Sequence, residues 1–215
     1  MASNYDNSAW FYDGLSRVVY GNALISSQVY LLQFIPSNAT ILIVGGGTGR
    51  LLEEIAKIYP SGLNITYVEI SAKMMAIAKK KNHGNNRVTF INEAVENVPF
   101  SLSFDVVITP FLFDNFTEKT LQTVFNHINS LLKTDGIWLC SDFQITGALW
   151  QRALLKTMYI FFKLLCRIET TTMPNIEAQF NGKGYKKKSA KTFFADFIIS
   201  TEYQKSCLLI LASDF

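Results

Sequence analysis

Residues 41–52 read ILIVGGGTGRLL, an apolar run that leads into four glycines and then into a helical pattern. Apolar residues at every position, as in Ile41 to Val44, are typical of a strand buried on both faces of a parallel sheet. Glycine permits the unusual dihedral angles of a tight turn and lets a ligand approach the backbone closely. The stretch therefore predicts a strand, a ligand-binding turn and a helix whose first N–H groups favour a polar or anionic ligand group.

The spacing of the glycines excludes two common nucleotide-binding loops. A dinucleotide fingerprint, G-x-G-x-x-G, that starts at Gly45 needs a glycine where Arg50 stands. A fingerprint that starts at Gly46 needs one at Thr48, and one that starts at Gly47 needs one at Leu52. A Walker loop needs a Gly-Lys-Ser/Thr tripeptide, and none follows. The pattern present is G-x-G-x-G, at Gly45, Gly47 and Gly49.

Predicted strands and helices alternate on both sides of this loop, which is typical of a doubly wound α/β fold. The predicted strands cover residues 40–44, 64–69, 87–91, 104–109, 136–140, 197–202 and 207–211. The predicted helices cover 8–34, 50–59, 71–84, 117–132 and 149–167, with a further lysine-rich helix before residue 197. Only residues 203–206 separate the last two strands, too few for a parallel crossover, so these strands should pair antiparallel. The prediction is a mostly parallel, seven-stranded, Rossmann-like sheet whose last strand is antiparallel.

The length of 215 residues suits one α/β domain and is too short for two of ordinary size. We expect a single domain over 1–215, with 1–38 as an N-terminal helical lid and 148–192 as a helical segment on the substrate side. Three widely spaced cysteines without a CxxC pair, and an N-terminus without a basic apolar leader, favour a cytoplasmic protein. Cysteine and histidine do not cluster, so we expect no metal site.

Positive charge is concentrated in residues 148–191, which hold nine Lys or Arg against Glu169 and Glu177. This segment sums to +7 within a net charge of +3, so the rest of the chain sums to −4. A basic segment favours anionic partners such as phosphates, carboxylates or a membrane surface, and solvated helix faces are the alternative.

The glycine loop and two acids downstream of it resemble the class I S-adenosylmethionine-dependent methyltransferases, over nearly the whole chain. In that family the loop, here Gly45-Gly46-Gly47-Thr48-Gly49, contacts the methionine part of the cofactor. Glu69, 20 positions after Gly49, matches the acid that holds the ribose hydroxyls. A carboxylate is suited to this because it accepts two hydrogen bonds from a vicinal diol. Glu93 matches the acid that accepts from the adenine amino group.

The resemblance implies further contacts with S-adenosylmethionine, and neither acid is expected in the core. Ile70 and Met74 would flank the adenine. The remaining implied contacts are Ala94 beside Glu93, Thr109 and Pro110 after the fourth strand, and Tyr12 in the lid helix.

The chain departs from the family pattern at two places. The family usually has an acid two residues before the first glycine, where this chain has Ile43. Aminopropyltransferases resemble this variant, but they use an aspartate directly after strand four, and here the next acid is Asp114. Amino-group methyltransferases of nucleic acids have a Pro-Pro-aromatic motif at that place. Residues 109–112, TPFL, keep only its first proline, and we expect no nucleic-acid partner.

Two further motifs resemble the ubiquinone and menaquinone biosynthesis C-methyltransferases: residues 9–21, AWFYDGLSRVVYG, and residues 131–143, LLKTDGIWLCSDF. They imply methyl transfer to a small, apolar or aromatic acceptor. The alternatives are a non-catalytic module that binds S-adenosylmethionine or S-adenosylhomocysteine, and an aminopropyltransferase-like enzyme. No catalytic base stands out among the candidates Asp114, Tyr12 and Tyr5.

The predicted helix 149–167 is unusually apolar, and its cations fall on one stripe at Arg152, Lys156, Lys163 and Arg167. Such a helix can cap a lipophilic substrate pocket, contact a membrane surface, form a homodimer or pack on the sheet as ordinary core. All four alternatives are open from the sequence.

Overall fold

A computed structural model describes residue 6, residues 12–166, residue 170 and residues 172–205, without the side chains of 12, 13 and 164–166. The strands are β1 (Thr40–Val44), β2 (Ser61–Val68), β3 (Asn85–Ile91), β4 (Phe104–Pro110), β5 (Leu132–Phe143), β6 (Tyr185–Phe193) and β7 (Ile198–Lys205). The helices are α1 (Tyr12–Tyr20), α2 (Ala23–Leu32), α3 (Arg50–Ile58), α4 (Ala72–Ala78), α5 (Glu118–Leu131), α6 (Leu149–Cys166) and α7 (Ile176–Gly182).

The strands form one sheet in the order β3-β2-β1-β4-β5-β7-β6. The pairs among β1 to β5 are parallel, and β7 is antiparallel to both β5 and β6. The predicted mostly parallel, seven-stranded sheet is therefore confirmed. The strand order reverses between β1 and β4, where Ile43 pairs with Ile108. In open α/β sheets, ligands bind beyond the carboxyl ends of the strands at such a reversal.

The lysine-rich segment before β7 is a strand, and the prediction of a helix there is wrong. Residues 185–193 form β6, which pairs with β7 at the edge of the sheet. Tyr185 fixes the strand by packing on Phe180 and Trp138, and its hydroxyl donates to Asn129 Oδ1 at 2.8 Å. The following lysines are exposed to solvent, so the expected helical segment 148–192 is helical only in α6 and α7. The predicted strand 207–211 lies outside the described residues.

The predicted N-terminal helix is divided into α1 and α2. Gly21 has a φ of 60° and interrupts the helix, after which Asn22 precedes α2. Residues 8–11 of the predicted helix lie outside the described part of the chain.

Two apolar cores cover the faces of the sheet, and a third lies at its carboxyl edge. One face packs on α5 around Phe125 and Trp138, whose rings stack at 4.7 Å, and the other packs on α2, α3 and α4. The third core joins α1, α6, β5 and β7, with Tyr20, Phe143 and Tyr159 among its members. Helices α1 and α6 therefore lie over the edge where parallel sheets bind ligands.

Candidate cofactor and acceptor site

The glycines of the loop between β1 and α3 differ in the space that surrounds them. A Cβ at Gly46 would lie 2.3 Å from the ring of Tyr67, and a Cβ at Gly49 would lie 2.8 Å from the Ala78 backbone. At Gly47, which has a φ of 63°, a Cβ would meet only Met74 Sδ, at 3.9 Å. Gly46 and Gly49 are therefore required by packing, whereas Gly47 presents bare backbone to a cavity.

Glu69 follows β2 and connects the loop to the next helix. Its Oε2 accepts from the Gly47 N–H at 2.9 Å, and its Oε1 accepts from the Ser71 N–H at 2.8 Å. The residue is only 5% exposed, so the expectation that this acid lies outside the core is wrong. Burial raises the pKa of Glu69 above its ordinary value, and the N–H groups of Ser71 and Gly47 offset part of that rise.

Asn92 and Asp6 support the end of β2, and the sequence assigned neither of them a function. Asn92 Nδ2 donates to the carbonyl oxygens of Glu69 and Ile70, at 2.7 and 3.0 Å. Asp6 Oδ1 accepts from Ser71 Oγ at 2.6 Å and from the Lys73 N–H at 3.1 Å, so it caps the start of α4. These contacts join segments distant in sequence, so no local pattern predicts them.

A cavity of about 410 Å³ opens beside the loop. It brings together ten of the thirteen residues predicted to contact the cofactor: Gly45, Gly46, Gly47, Thr48, Glu69, Ile70, Met74, Glu93, Ala94 and Pro110. Gly49 and Thr109 do not line it, because Gly49 packs on α4 and the Thr109 hydroxyl accepts from Trp138 Nε1 at 2.9 Å inside the core. The side chain of Tyr12 lies outside the described part of the chain.

Apolar side chains line the other end of the cavity. They come from α1 and α2, from the segment after β4, from the end of β5 and from α6: Leu15, Val19, Tyr20, Leu24, Phe111, Leu112, Phe143, Leu154, Met158, Phe161 and Phe162. Phe111 has a φ of 51°, a left-handed conformation that is strained for an aromatic residue. The Phe111 N–H donates to the Ser141 carbonyl at 2.7 Å, and Asn115 Nδ2 donates to the Phe111 carbonyl at 3.0 Å. These two hydrogen bonds hold Phe111 in its strained conformation at the place where it lines the cavity.

Two buried carboxyl groups, Asp114 and Asp142, lie at this apolar end. They are 6% and 2% exposed. Asp142 accepts from the N–H groups of Phe113 and Phe143, at 3.0 and 2.9 Å, whereas Asp114 accepts from Asn115 Nδ2 at 2.8 Å. Asp114 lines the cavity, and Asp142 lies behind it.

The two carboxyl groups cannot both ionise easily. Burial, followed by the neighbouring Asp142, raises the pKa of Asp114 well above its ordinary value. Burial raises the pKa of Asp142 to about 7, against the opposing effect of its backbone N–H donors. Because Asp142 has more N–H donors to stabilise a negative charge, Asp114 is the member of the pair that retains a proton more readily. A raised pKa favours the protonated form of Asp114, and a protonated carboxyl group can donate a hydrogen bond into the cavity.

The residues that the structure describes contain no group of three or more acidic, histidine or cysteine side chains able to hold a metal ion.

Part of this chain, including the glycine loop, is similar to known sequences. A family model for a methyltransferase domain matches residues 41–136. A malonyl-[acyl-carrier protein] O-methyltransferase from Bacillus cereus is 36% identical over 105 residues, which are 48% of this chain and 37% of that protein. A ubiquinone/menaquinone biosynthesis C-methyltransferase from Wigglesworthia glossinidia brevipalpis is 33% identical over 132 residues, which are 59% of this chain and 50% of that protein. The chain therefore spans half or less of the length of these curated relatives.

Solved structures share the fold at low sequence identity. A 1,6-didemethyltoxoflavin-N1-methyltransferase from Burkholderia thailandensis, with 1,6-didemethyltoxoflavin and S-adenosylhomocysteine bound, has a TM-score of 0.65 at 15% identity, over 93% of this chain and 85% of that one. The magnesium protoporphyrin IX methyltransferase from Synechocystis PCC 6803 has a TM-score of 0.62 at 19% identity, over 85% and 82%. These structures share the fold of this chain, and its residues 41–136 are similar to a methyltransferase domain.

Proposed function

We propose that the protein transfers a methyl group from S-adenosylmethionine to a small, apolar or aromatic molecule. One observation carries this proposal: the glycine loop and the cluster of aromatic side chains are two ends of the same cavity. A ligand at the loop and a second ligand among the aromatic residues can therefore touch. The names of two relatives, which refer to a malonyl group on an acyl carrier protein and to quinone biosynthesis, agree with a small acceptor group.

The loop end of the cavity fits the cofactor by the chemistry of its groups. The two carboxylate oxygens of Glu69 accept from the N–H groups of Gly47 and Ser71, and the residue also lines the cavity, so Glu69 can receive the ribose hydroxyls as well. Ile70 and Met74 offer apolar surface to the adenine, and Gly47 has no side chain that would block the methionine part.

Further contacts complete the proposed cofactor site. Gly45, Gly46 and Thr48 would contact the methionine part beside Gly47, and Pro110 would lie near the methyl group. Glu93 and Ala94 would hold the adenine amino edge, although the Glu93 carboxylate is exposed and already accepts from the Ala94 N–H at 2.9 Å. We assign Gly49 and Thr109 a supporting part only, because they do not line the cavity.

In this proposal the protein orients the two ligands, excludes water from the acceptor end of the cavity and provides one acidic proton. Bound S-adenosylmethionine supplies an electrophilic methyl group on a sulfonium sulfur. Phe111, Leu112 and Phe143 exclude water from the acceptor end, and a fixed in-line approach can account for much of the rate. The neutral Asp114 carboxyl would donate a hydrogen bond to an oxygen of the acceptor and orient it.

The two alternative functions predict different properties. An aminopropyltransferase needs an ionised aspartate after strand four to accept a proton from its amine, whereas the first acid here, Asp114, is buried and its pKa is raised well above its ordinary value. A non-catalytic binding module would bind S-adenosylmethionine without forming product. The absence of an acid at Ile43 is compatible with either alternative.

The test is product formation by the purified protein. S-adenosylhomocysteine would be measured after incubation with S-adenosylmethionine and a panel of small phenols, quinols and amines. We expect turnover with at least one phenol or quinol, loss of that turnover in Glu69→Ala, and no loss in Ile58→Ala, a change far from the cavity. Cofactor binding without turnover by any acceptor in the panel would favour the binding module.

A further inference from the structure

Helix α6 has an outer face that combines apolar and basic side chains. Its cavity side carries Leu154, Met158, Phe161 and Phe162. Its exposed side carries the residues that we call the α6 outer face: Leu149, Arg152, Lys156, Ile160 and Lys163, at spacings of three and four that keep them on one stripe.

The apolar members of this face are unusually open to solvent. Leu149 is 80% exposed and Ile160 is 55% exposed. A single exposed leucine is ordinary in a soluble protein, but here two apolar side chains alternate with three cations along one helix. The pattern is typical of a helix that lies in the interface of a bilayer, with apolar side chains between acyl chains and cations at the headgroups.

The charge on α6 itself is one-sided, and Asp196 is an exposed acid beside its start, next to the Ala195 carbonyl that accepts from Gln151. Helix α6 contains no acidic residue, and in α1 the only one is Asp13, whose side chain is outside the described part. Helix α1 is adjacent, because the Tyr20 hydroxyl contacts Met158 Sδ, and it exposes Arg17 and Val18. In the part of the chain that the structure describes, no helix is both long and apolar enough to span a bilayer.

We propose that the α6 outer face docks this protein on the surface of an anionic membrane. Anionic headgroups complement the three cations, and Leu149 and Ile160 would insert among the lipids. The cavity side of the same helix is apolar, so a lipophilic acceptor could pass from the bilayer into the site over a short distance. That last step rests on the proposed methyl transfer, whereas the docking itself does not.

The experiment is vesicle flotation with the full chain and no cofactor, so its result is independent of turnover. Vesicles of phosphatidylcholine with about 30 mol% phosphatidylglycerol, which carry a negative surface potential, are compared with pure phosphatidylcholine. We expect the wild type to float with the anionic vesicles, and the double variant Leu149→Ser/Ile160→Ser to bind about tenfold less. The variant Lys156→Glu/Lys163→Glu should lose more, since each cation near the surface contributes about fivefold.

Matched control variants separate this face from general effects of polarity and charge. Ile58 and Leu102 are 48% and 49% exposed at the opposite edge of the sheet, so Ile58→Ser/Leu102→Ser should bind like the wild type. Lys79→Glu/Lys80→Glu, after α4, should change binding by less than the α6 charge variant. No wild-type flotation, or equal loss in the controls, overturns the proposal. A dimer in solution that Leu149→Ser/Ile160→Ser converts to monomer, without vesicle binding, would assign the face to a second copy and overturn it as well.

Discussion

Glu69 is connected both to the fold and to the proposed ligand, and substitutions can separate the two contributions. Glu69→Ala would leave the N–H groups of Gly47 and Ser71 without their acceptor in a buried place. We expect it to lower the free energy of unfolding by about 1–3 kcal/mol and to reduce affinity for S-adenosylhomocysteine at least tenfold. Glu69→Gln keeps one carbonyl acceptor and should lose less stability. Calorimetry and denaturant unfolding would measure the two effects.

Glu93 provides the comparison for this prediction. Its carboxylate is exposed, so Glu93→Ala should leave stability near wild type and reduce affinity less than Glu69→Ala does, because water can replace one acceptor. If Glu69→Ala binds S-adenosylhomocysteine as well as the wild type does, the assignment of Glu69 to the ribose is wrong.

The carboxyl pair predicts an unusual dependence of stability on pH. Burial raises the pKa of both Asp114 and Asp142, so above the ordinary carboxyl pKa the folded protein binds more protons than the unfolded chain does. Unfolding then releases protons, so stability is present at low pH and is lost as the pH rises through about 7, the pKa of Asp142. Each proton contributes a slope of about 1.4 kcal/mol per pH unit within that window.

Denaturant unfolding between pH 5.5 and 8.5 would test the pair. Asp114→Asn removes one of the two acids, so the loss of stability with pH should be less steep than in the wild type. Asp196→Asn, at an exposed turn with a φ of 62°, should keep the wild-type slope. An unchanged slope in Asp114→Asn would mean that Asp114 is already ionised in the folded protein over this range, and the assignment of a raised pKa to it would be wrong.

At the scale of elements, Gly49 lies where α3 begins and packs against α4, and it does not line the cavity. Its φ of 82° disfavours a side chain, and a Cβ at this position would lie only 2.8 Å from the Ala78 backbone. Gly49→Ala should lower the free energy of unfolding by about 1–3 kcal/mol, by straining the backbone and separating α3 from α4. Gly182→Ala, at a position with open space, should stay within about 0.5 kcal/mol. If the variants unfold alike in denaturant, the packing argument fails.

The sequence predicted those elements whose signals are local. The apolar run before Gly45 and the Ser71 cap are read from neighbouring residues, and the structure has β1 and α4 there. Strand β6 was missed because its lysines are polar at successive positions, and only its pairing with β7 makes it a strand. The carboxyl pair was missed for a related reason, since Asp114 and Asp142 meet only after β4 and β5 align. Tertiary contacts of this kind leave no pattern within a single segment.

At the scale of the whole molecule, ligand binding should stabilise the native state. A ligand that binds only the folded chain raises its stability by about 2.7 kcal/mol at a concentration 100 times its dissociation constant. S-adenosylhomocysteine should therefore raise the melting temperature, and NAD at equal concentration should not, because the loop lacks the third glycine of the dinucleotide fingerprint. A shift with NAD and none with S-adenosylhomocysteine would contradict the assignment of the cavity.

The lysines of β6 also affect how copies of the protein behave when crowded. The exposed lysines of β6, the last strand in the order of the sheet, are Lys186, Lys187, Lys188 and Lys191, of which Lys187 forms an ion pair with Glu177 at 2.7 Å. If β6 of a second copy approached this strand, its lysine side chains would face those of the first copy. Repulsion between the like charges would then oppose hydrogen bonding between the two strands. Concentrated salt or lysine acetylation weakens that repulsion. The same treatments should therefore promote filaments or precipitate that begin at β6, even while the folded core is intact.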